Sequence, residues 1–161
     1  MSTNDPHHRR IRLPKEVYAE IDAICSVTIG VKARALVFAE PAVAGAAVDV
    51  IRELASSTRV PVYGYCVMPD HVHLVVGPSP ACDIVTFVGR FKNLAQRAAW
   101  SLGVSGAFWQ VSFWDHFLRR EEQTERVVSY VLNNPVRSGL VQRWRDYPFC
   151  GSLEFDLDDE G

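Results

Sequence analysis

Apolar and polar positions along this chain follow two different periods, and the switches between them mark the elements. Around Ser26–Phe38, the stretches VTIGV and ALVF are rich in β-branched residues and predict a β-strand or a bent pair of strands. Pro41 then opens AVAGAAVDVIRELASS, where Val43, Ala47, Val50, Ile51 and Leu54 fall on one helical face. Proline is tolerated in that first turn because its missing N–H has no helical partner there. VPVYGYCVM predicts a strand, Pro69-Asp70 a tight turn and HVHLVVG a further strand, so the two form an antiparallel hairpin. Tyr63 and Tyr65 alternate along the first of these strands as packing residues.

After the breaker GPSP, residues Asp83–Leu102 predict a second amphipathic helix. Phe87, Phe91, Leu94 and Ala98 share its apolar face, with Arg90 and Arg97 on the other side. SFWDHFLRR predicts a fourth strand, and EEQTERVVSYVLNN a third helix whose first turn carries acids, as the helix dipole favours. That helix is expected to stop at Asn134, because Pro135 disfavours helical geometry in the residue before it. The order β-α-β-β-α-β plus a helix predicts an α+β, ferredoxin-like fold with an antiparallel sheet. Its third strand, which carries HVHLVV, is then central.

At 161 residues the chain predicts one compact domain over residues 1–152, with the first ten or so disordered and an acidic tail at 153–161. No apolar run reaches the length of a transmembrane helix and the N-terminus lacks a signal peptide's apolar centre, so the expected location is cytoplasmic. Cys25, Cys66, Cys82 and Cys150 are widely spaced with no C-x-x-C pair, and read as reduced, mostly buried thiols. The net charge is −2, but it is unevenly distributed: all 17 Lys and Arg lie at or before Arg145, whereas six of the 19 acids follow it. A basic body with an acidic end is compatible with a polyanionic ligand, for which the tail would compete.

The segment MPDHVHLVV carries the chemistry. His71 and His73 leave the same side of a strand, roughly 7 Å apart at their backbones. They are either two structural histidines or two ligands of one metal ion that needs a third. Tyr130 and Asn134 are i and i+4, hence neighbours on one helical face. An amide oxygen suits a hard divalent ion, and a tyrosine one turn earlier would sit beside it. Asn134 before a proline is also a plain helix terminator, and Tyr130 also a core-edge tyrosine. Two neutral imidazoles and an amide would leave the ion its full charge for an anionic phosphodiester, and tyrosine is able to attack phosphorus covalently. A zinc hydrolase with a water nucleophile would need a further His or carboxylate, with Asp70 and Asp115-His116 the nearby candidates.

With these residues in place, the chain resembles the single-tyrosine HUH transposases, matched by His71-Val72-His73, and more narrowly the REP-associated tyrosine transposases. RRIRLP with VTIGVKARALVF looks like their opening, YCVMPDHVHLVV their metal-binding segment, FWQVSFWDHFLRR their fourth-strand region, and YVLNNPVRSGLVQRWRDYPFCGS their nucleophile helix and exit. The match runs from about Arg9 to Ser152. The resemblance implies His71, His73 and Asn134 as ligands of Mg²⁺ or Mn²⁺, and Tyr130 as a nucleophile that forms a 5′-phosphotyrosine and frees a 3′-OH. It implies a site-specific single-stranded DNA endonuclease and strand transferase acting on hairpin DNA. Arg90, Lys92, Arg97, Arg119, Arg120 and Arg137 would then meet phosphates, while Trp100, Trp109 and Trp114 would stack bases or pack. The rival reading is a non-catalytic nucleic-acid-binding regulator that retains the transposase fold. The short connection into Glu121–Asn134 favours a helix packed on its own sheet, and so a monomer over a homodimer.

Overall fold

The computed structural model describes residues 23–118 and 121–157, so the expectation of disorder over the first ten residues falls outside it. Strand β1 spans Ile24–Gly30 and helix α1 Pro41–Thr58. Strands β2 (Val62–Met68) and β3 (His71–Val76) follow, then helix α2 (Ile84–Ser101) and strand β4 (Trp114–Leu118). Helix α3 covers Glu121–Leu132, a single turn α4 covers Asn134–Arg137, and β5 is the pair Cys150–Gly151. The sheet order is β4-β1-β3-β2-β5 with every neighbouring pair antiparallel. This is the expected ferredoxin-like α+β arrangement, with β3 in the middle. Among the described residues no helix is long and apolar enough to cross a membrane.

Each face of the sheet has its own apolar layer. Val27 and Ile29 of β1 and Val72, Leu74 and Val76 of β3 point to one face, where they meet Val43, Ala47, Ile51 and Leu54 of α1 and Phe87 and Phe91 of α2. On the opposite face, Cys66, Met68 and Val75 pack under Val128, Val131 and Leu132 of α3. The α1 stripe is the expected one. In α2 the stripe is rotated: Phe87 and Phe91 are buried with Val88, Ala95 and Ala99, while Leu94 is exposed. Asp83 caps α2 by accepting from the Thr86 N–H at 2.7 Å, which satisfies one of its free amides.

Three local departures from the sequence pattern matter to the site. The ALVF stretch is not a strand: beyond Gly30 the chain forms 3-10 turns at Lys32–Arg34 and Val37–Ala39. Here backbone donors find other partners, Val31 N–H on the Asp70 carbonyl and Phe38 N–H on the Pro69 carbonyl, both at 3.0 Å. These bonds clamp the two-residue turn of the β2–β3 hairpin, directly before His71. Secondly, the β2–β3 register shifts between Val62 and Gly64, so Tyr63 packs with the α3 layer whereas Tyr65 is buried in the other. The same shift turns Gly64 toward α3, where a Cβ would meet the Val128 methyls at 3.3 and 3.4 Å. Thirdly, α3 ends at Leu132, two residues before the expected stop, and Pro135 occupies the first turn of α4. Proline thus ends one helix and opens the next. Gly139 closes the exit at φ +79°, a conformation open to glycine at little cost.

Candidate active site

The histidine pair lies on the sheet face covered by α3, because residues of β3 alternate and Val75 of the same row is in that layer. His71 Nε2 and His73 Nε2 are 3.0 Å apart. Each ring is fixed from behind. The Asp70 carboxylate accepts from His71 Nδ1 at 2.7 Å. Thr28, directly opposite His73 in the β1–β3 register, places its hydroxyl 3.0 Å from His73 Nδ1. With both Nδ1 atoms occupied, both Nε2 atoms converge on one point. This outer shell is the usual device by which a protein orients imidazole ligands. Burial, then the neighbouring His71 and Arg137, hold His73 down to a pKa of about 3, so it is a neutral imidazole at physiological pH.

The third group arrives from α4. The Asn134 amide stands 3.3 Å from His71 Nε2, whereas neighbouring Asn133 turns away and donates to the Ser129 carbonyl at 2.8 Å. The break between α3 and α4 therefore delivers Asn134, and not Asn133, to the histidines. Two imidazole nitrogens and one amide converge as a donor set that suits a divalent ion with open positions for substrate oxygens. Among the described residues no cluster of three His, Cys, Asp or Glu side chains is able to hold a metal, so the extra ligand that a zinc hydrolase needs is not found there.

Tyr130 is on the last turns of α3 and is exposed, 61% of its surface reaching solvent. The Arg137 guanidinium stacks over its ring, 3.6 Å from the centroid. The same cation is one of the influences that disfavour protonation of His73. Arg137 thus ties the tyrosine to the histidine side of the site, in a cation–π contact that also sets a positive charge beside the phenol.

The other expected phosphate contacts are placed differently. Arg90 and Arg97 are exposed on α2, whose packing layer is on the far face of the sheet from His71 and His73. Lys92, on the same helix, donates to the Gln110 carbonyl at 2.7 Å and so braces the loop before β4. Arg119 and Arg120 lie outside the described residues. Trp109 is a core residue whose indole N–H donates to the Lys92 carbonyl, and Trp100 donates to the Gly106 carbonyl, both at 2.8 Å. Of the segment expected as an acidic tail, residues up to 157 are described and lie against the body: Leu157 packs with the α3 layer and Phe155 sits 5.9 Å from the Tyr63 ring. Sequence reasoning missed Thr28 and the orienting role of Asp70. A carboxylate immediately before H-x-H was a readable signal; the Thr28 contact spans 45 positions and needs the strand register.

Comparison with known proteins fits this geometry. A family model described as "Transposase IS200 like" matches residues 21–134, which include both histidines, Tyr130 and Asn134. The chain is 28% identical over 85 residues to a REP-associated tyrosine transposase of Escherichia coli, covering 53% of this chain and 50% of that protein. It is 24% identical over 95 residues to a putative REP-associated tyrosine transposase of Haemophilus influenzae, covering 52% and 54%. It therefore spans about half the length of the curated relatives it matches. Among solved structures, a REP-associated tyrosine transposase bound to a REP hairpin superposes with a TM-score of 0.67 at 20% identity, covering 87% of this chain and 81% of that one. A putative transposase from Deinococcus radiodurans gives 0.52 at 25% identity, with coverages of 68% and 88%. The chain belongs to the family of IS200-like transposases.

Proposed function

We propose that this protein is a metal-dependent, site-specific single-stranded DNA endonuclease and strand transferase that acts on hairpin DNA through Tyr130. The observation that carries the reading is the convergence of His71, His73 and Asn134, with Tyr130 near the end of α3, just before the break, and covered by Arg137. His71 Nε2, His73 Nε2 and the Asn134 carbonyl oxygen would hold Mg²⁺ or Mn²⁺. When bound, the ion supplies Lewis-acid charge to the phosphodiester oxygens. Asp70 and Thr28 keep the rings aimed. The Tyr130 oxygen attacks the phosphorus in line, its proton passing to solvent at this exposed position. The P–O bond to the 3′ oxygen breaks, leaving a 5′-phosphotyrosine and a free 3′-OH. Attack by a 3′-OH on that link reverses the step and releases the tyrosine oxygen. Arg137 offsets the negative charge that develops on the phenol oxygen and phosphate.

Two further points rest on the same reading. A hairpin partner is supported by the relative that was solved bound to a REP hairpin. Tyrosine and histidines come from one chain, since α3 packs on its own sheet, and this supports a monomer that acts in cis. The test is incubation with labelled single-stranded hairpins from repeats flanking the gene, with Mn²⁺ or Mg²⁺, followed by a denaturing gel. A covalent adduct that requires metal and disappears in Tyr130→Phe is expected. Hairpin binding with no adduct under any metal would instead establish the regulator reading.

A further inference from the structure

Two nucleophilic side chains take no part in this chemistry, and they face each other. Cys66 of β2 and Cys150 of β5 are register partners at the sheet edge. The Val67 N–H donates to the Phe149 carbonyl at 2.9 Å, so Val67 and Phe149 form a hydrogen-bonded pair. In an antiparallel ladder the adjacent pair, Cys66 and Cys150, is then of the non-hydrogen-bonded kind. Such pairs bring their Cα atoms to about 4.5 Å, inside the roughly 4.4–6.8 Å window of a disulfide. The Cys150 thiol is held in place beside this pairing, its sulfur 3.5 Å from both the Trp144 and the Tyr147 carbonyls. Cys66 is fully buried while Cys150 is partly exposed, so an oxidant reaches one partner and not the other. Cys25 and Cys82 are buried in the opposite layer.

We propose that Cys66 and Cys150 are a reversible dithiol–disulfide pair, oxidised by peroxide or by a small-molecule disulfide, that staples the C-terminal segment to the sheet. With peroxide, the Cys150 sulfur attacks one oxygen, giving a sulfenic acid and one water. The Cys66 sulfur then displaces hydroxide from it, forming the S–S bond and, with its released proton, a second water. Two thiols are oxidised and one peroxide is reduced. With glutathione disulfide the same bond forms by exchange, and two glutathione thiols are released.

The staple bears on the helix that carries Tyr130. β5 is only two residues long, and the segment around it flanks α3. Tyr147 donates to the Val67 carbonyl at 2.6 Å, and a cavity of about 330 Å³ is lined by Val128 and Leu132 of α3 together with Trp144, Phe155 and Leu157. Oxidation therefore fixes a short, openable edge beside α3.

Peroxide or glutathione disulfide is added to the full-length protein, which is then alkylated under denaturing conditions and mapped without reduction. The expected result is one linked peptide pair joining Cys66 to Cys150, with loss of two hydrogens, reversal by dithiothreitol, and Cys25 and Cys82 still alkylated. Hydrogen exchange at the Val67 amide slows about tenfold or more on oxidation, and this is absent in Cys150→Ser, whose substitution is at a partly exposed position. Cys150 advancing to a sulfinic acid without linking, a persistent glutathione adduct, or a different pairing would each overturn the proposal.

Discussion

Replacing Thr28 by valine isolates one atom of the site. Valine keeps the shape and the β-branched fit to a strand, so only the hydroxyl that faces His73 Nδ1 at 3.0 Å is lost. A half-buried ring nitrogen left without a partner costs about 1–3 kcal/mol. Water can enter from the open side of the site, which argues for the lower half of that range. At about 1.4 kcal/mol per tenfold, roughly 1–2 kcal/mol is a 5- to 30-fold weakening of metal affinity, because His73 must hold its Nε2 aimed without help. Isothermal titration with Mn²⁺ measures it directly, and urea midpoints of the metal-free proteins establish that the variant is folded. Nitrogen chemical shifts of labelled imidazoles report the loss of a fixed tautomer in His73. Ser26→Ala serves as the control, since Ser26 sits opposite Val75, one row removed from the histidine. Mn²⁺ binding within twofold of the parent in Thr28→Val would refute the orienting role, and an equal loss in Ser26→Ala would show that the strand was disturbed in general.

Protonation of His73 is linked to folding. Its folded-state pKa of about 3 lies below the ordinary 6.5, so the unfolded chain binds the extra proton between those values. The stability this residue contributes is present above pH 6.5 and lost as pH falls toward 3, by about 2 kcal/mol at pH 5. Urea midpoints at pH 7, 6 and 5 check it, and His73→Asn should flatten the profile. Gly64→Ala puts a methyl against Val128, and overpacking there costs about 1–3 kcal/mol. Val128→Ala in the same chain should return part of that stability, and strict additivity of the two changes in urea unfolding would mean that the contact is not real. For DNA, Arg137→Ala should weaken hairpin binding and lower the slope of log affinity against log salt by about one; unchanged salt dependence would remove it as a phosphate contact. Arg90→Ala and Arg97→Ala should leave that slope intact; a drop in either would show that the hairpin reaches the α2 side as well. Truncation after Ser152 tests competition by the acidic end: unchanged binding and cleavage would exclude it.

What the sequence made legible is what local periodicity encodes. The α1 stripe, the hairpin and the side shared by His71 and His73 depend on residues a few positions apart, and they appear as expected. Tyr63 and Tyr65 both pack, as their strand position suggests, but in different layers, because the register shift at Gly64 interrupts the alternation and nothing in VPVYGY announces it. Periodicity alone runs the α2 stripe through Leu94, which is exposed, because spacing within a helix does not contain how that helix lies on its sheet. Asn134 reaches His71 from a new helical turn and not from the end of α3, which its i, i+4 spacing from Tyr130 does not show. Thr28 depends on pairing between strands distant in sequence, which no local window contains.

The two-residue turn at Pro69-Asp70 has a consequence for how this sequence can drift. Its carbonyls are held by Val31 and Phe38, and it sets the phase of everything from His71 to Val76. One residue added or removed there would exchange the two faces of β3, sending both imidazoles into the helix-covered core and Val72 and Leu74 toward the metal side. Single-residue replacements across the hairpin can be absorbed one at a time, whereas a change in its length is all-or-nothing. Homologues free to vary in side chain should therefore be uniform in spacing here, and a designer grafting new specificity onto this scaffold should put insertions in other loops.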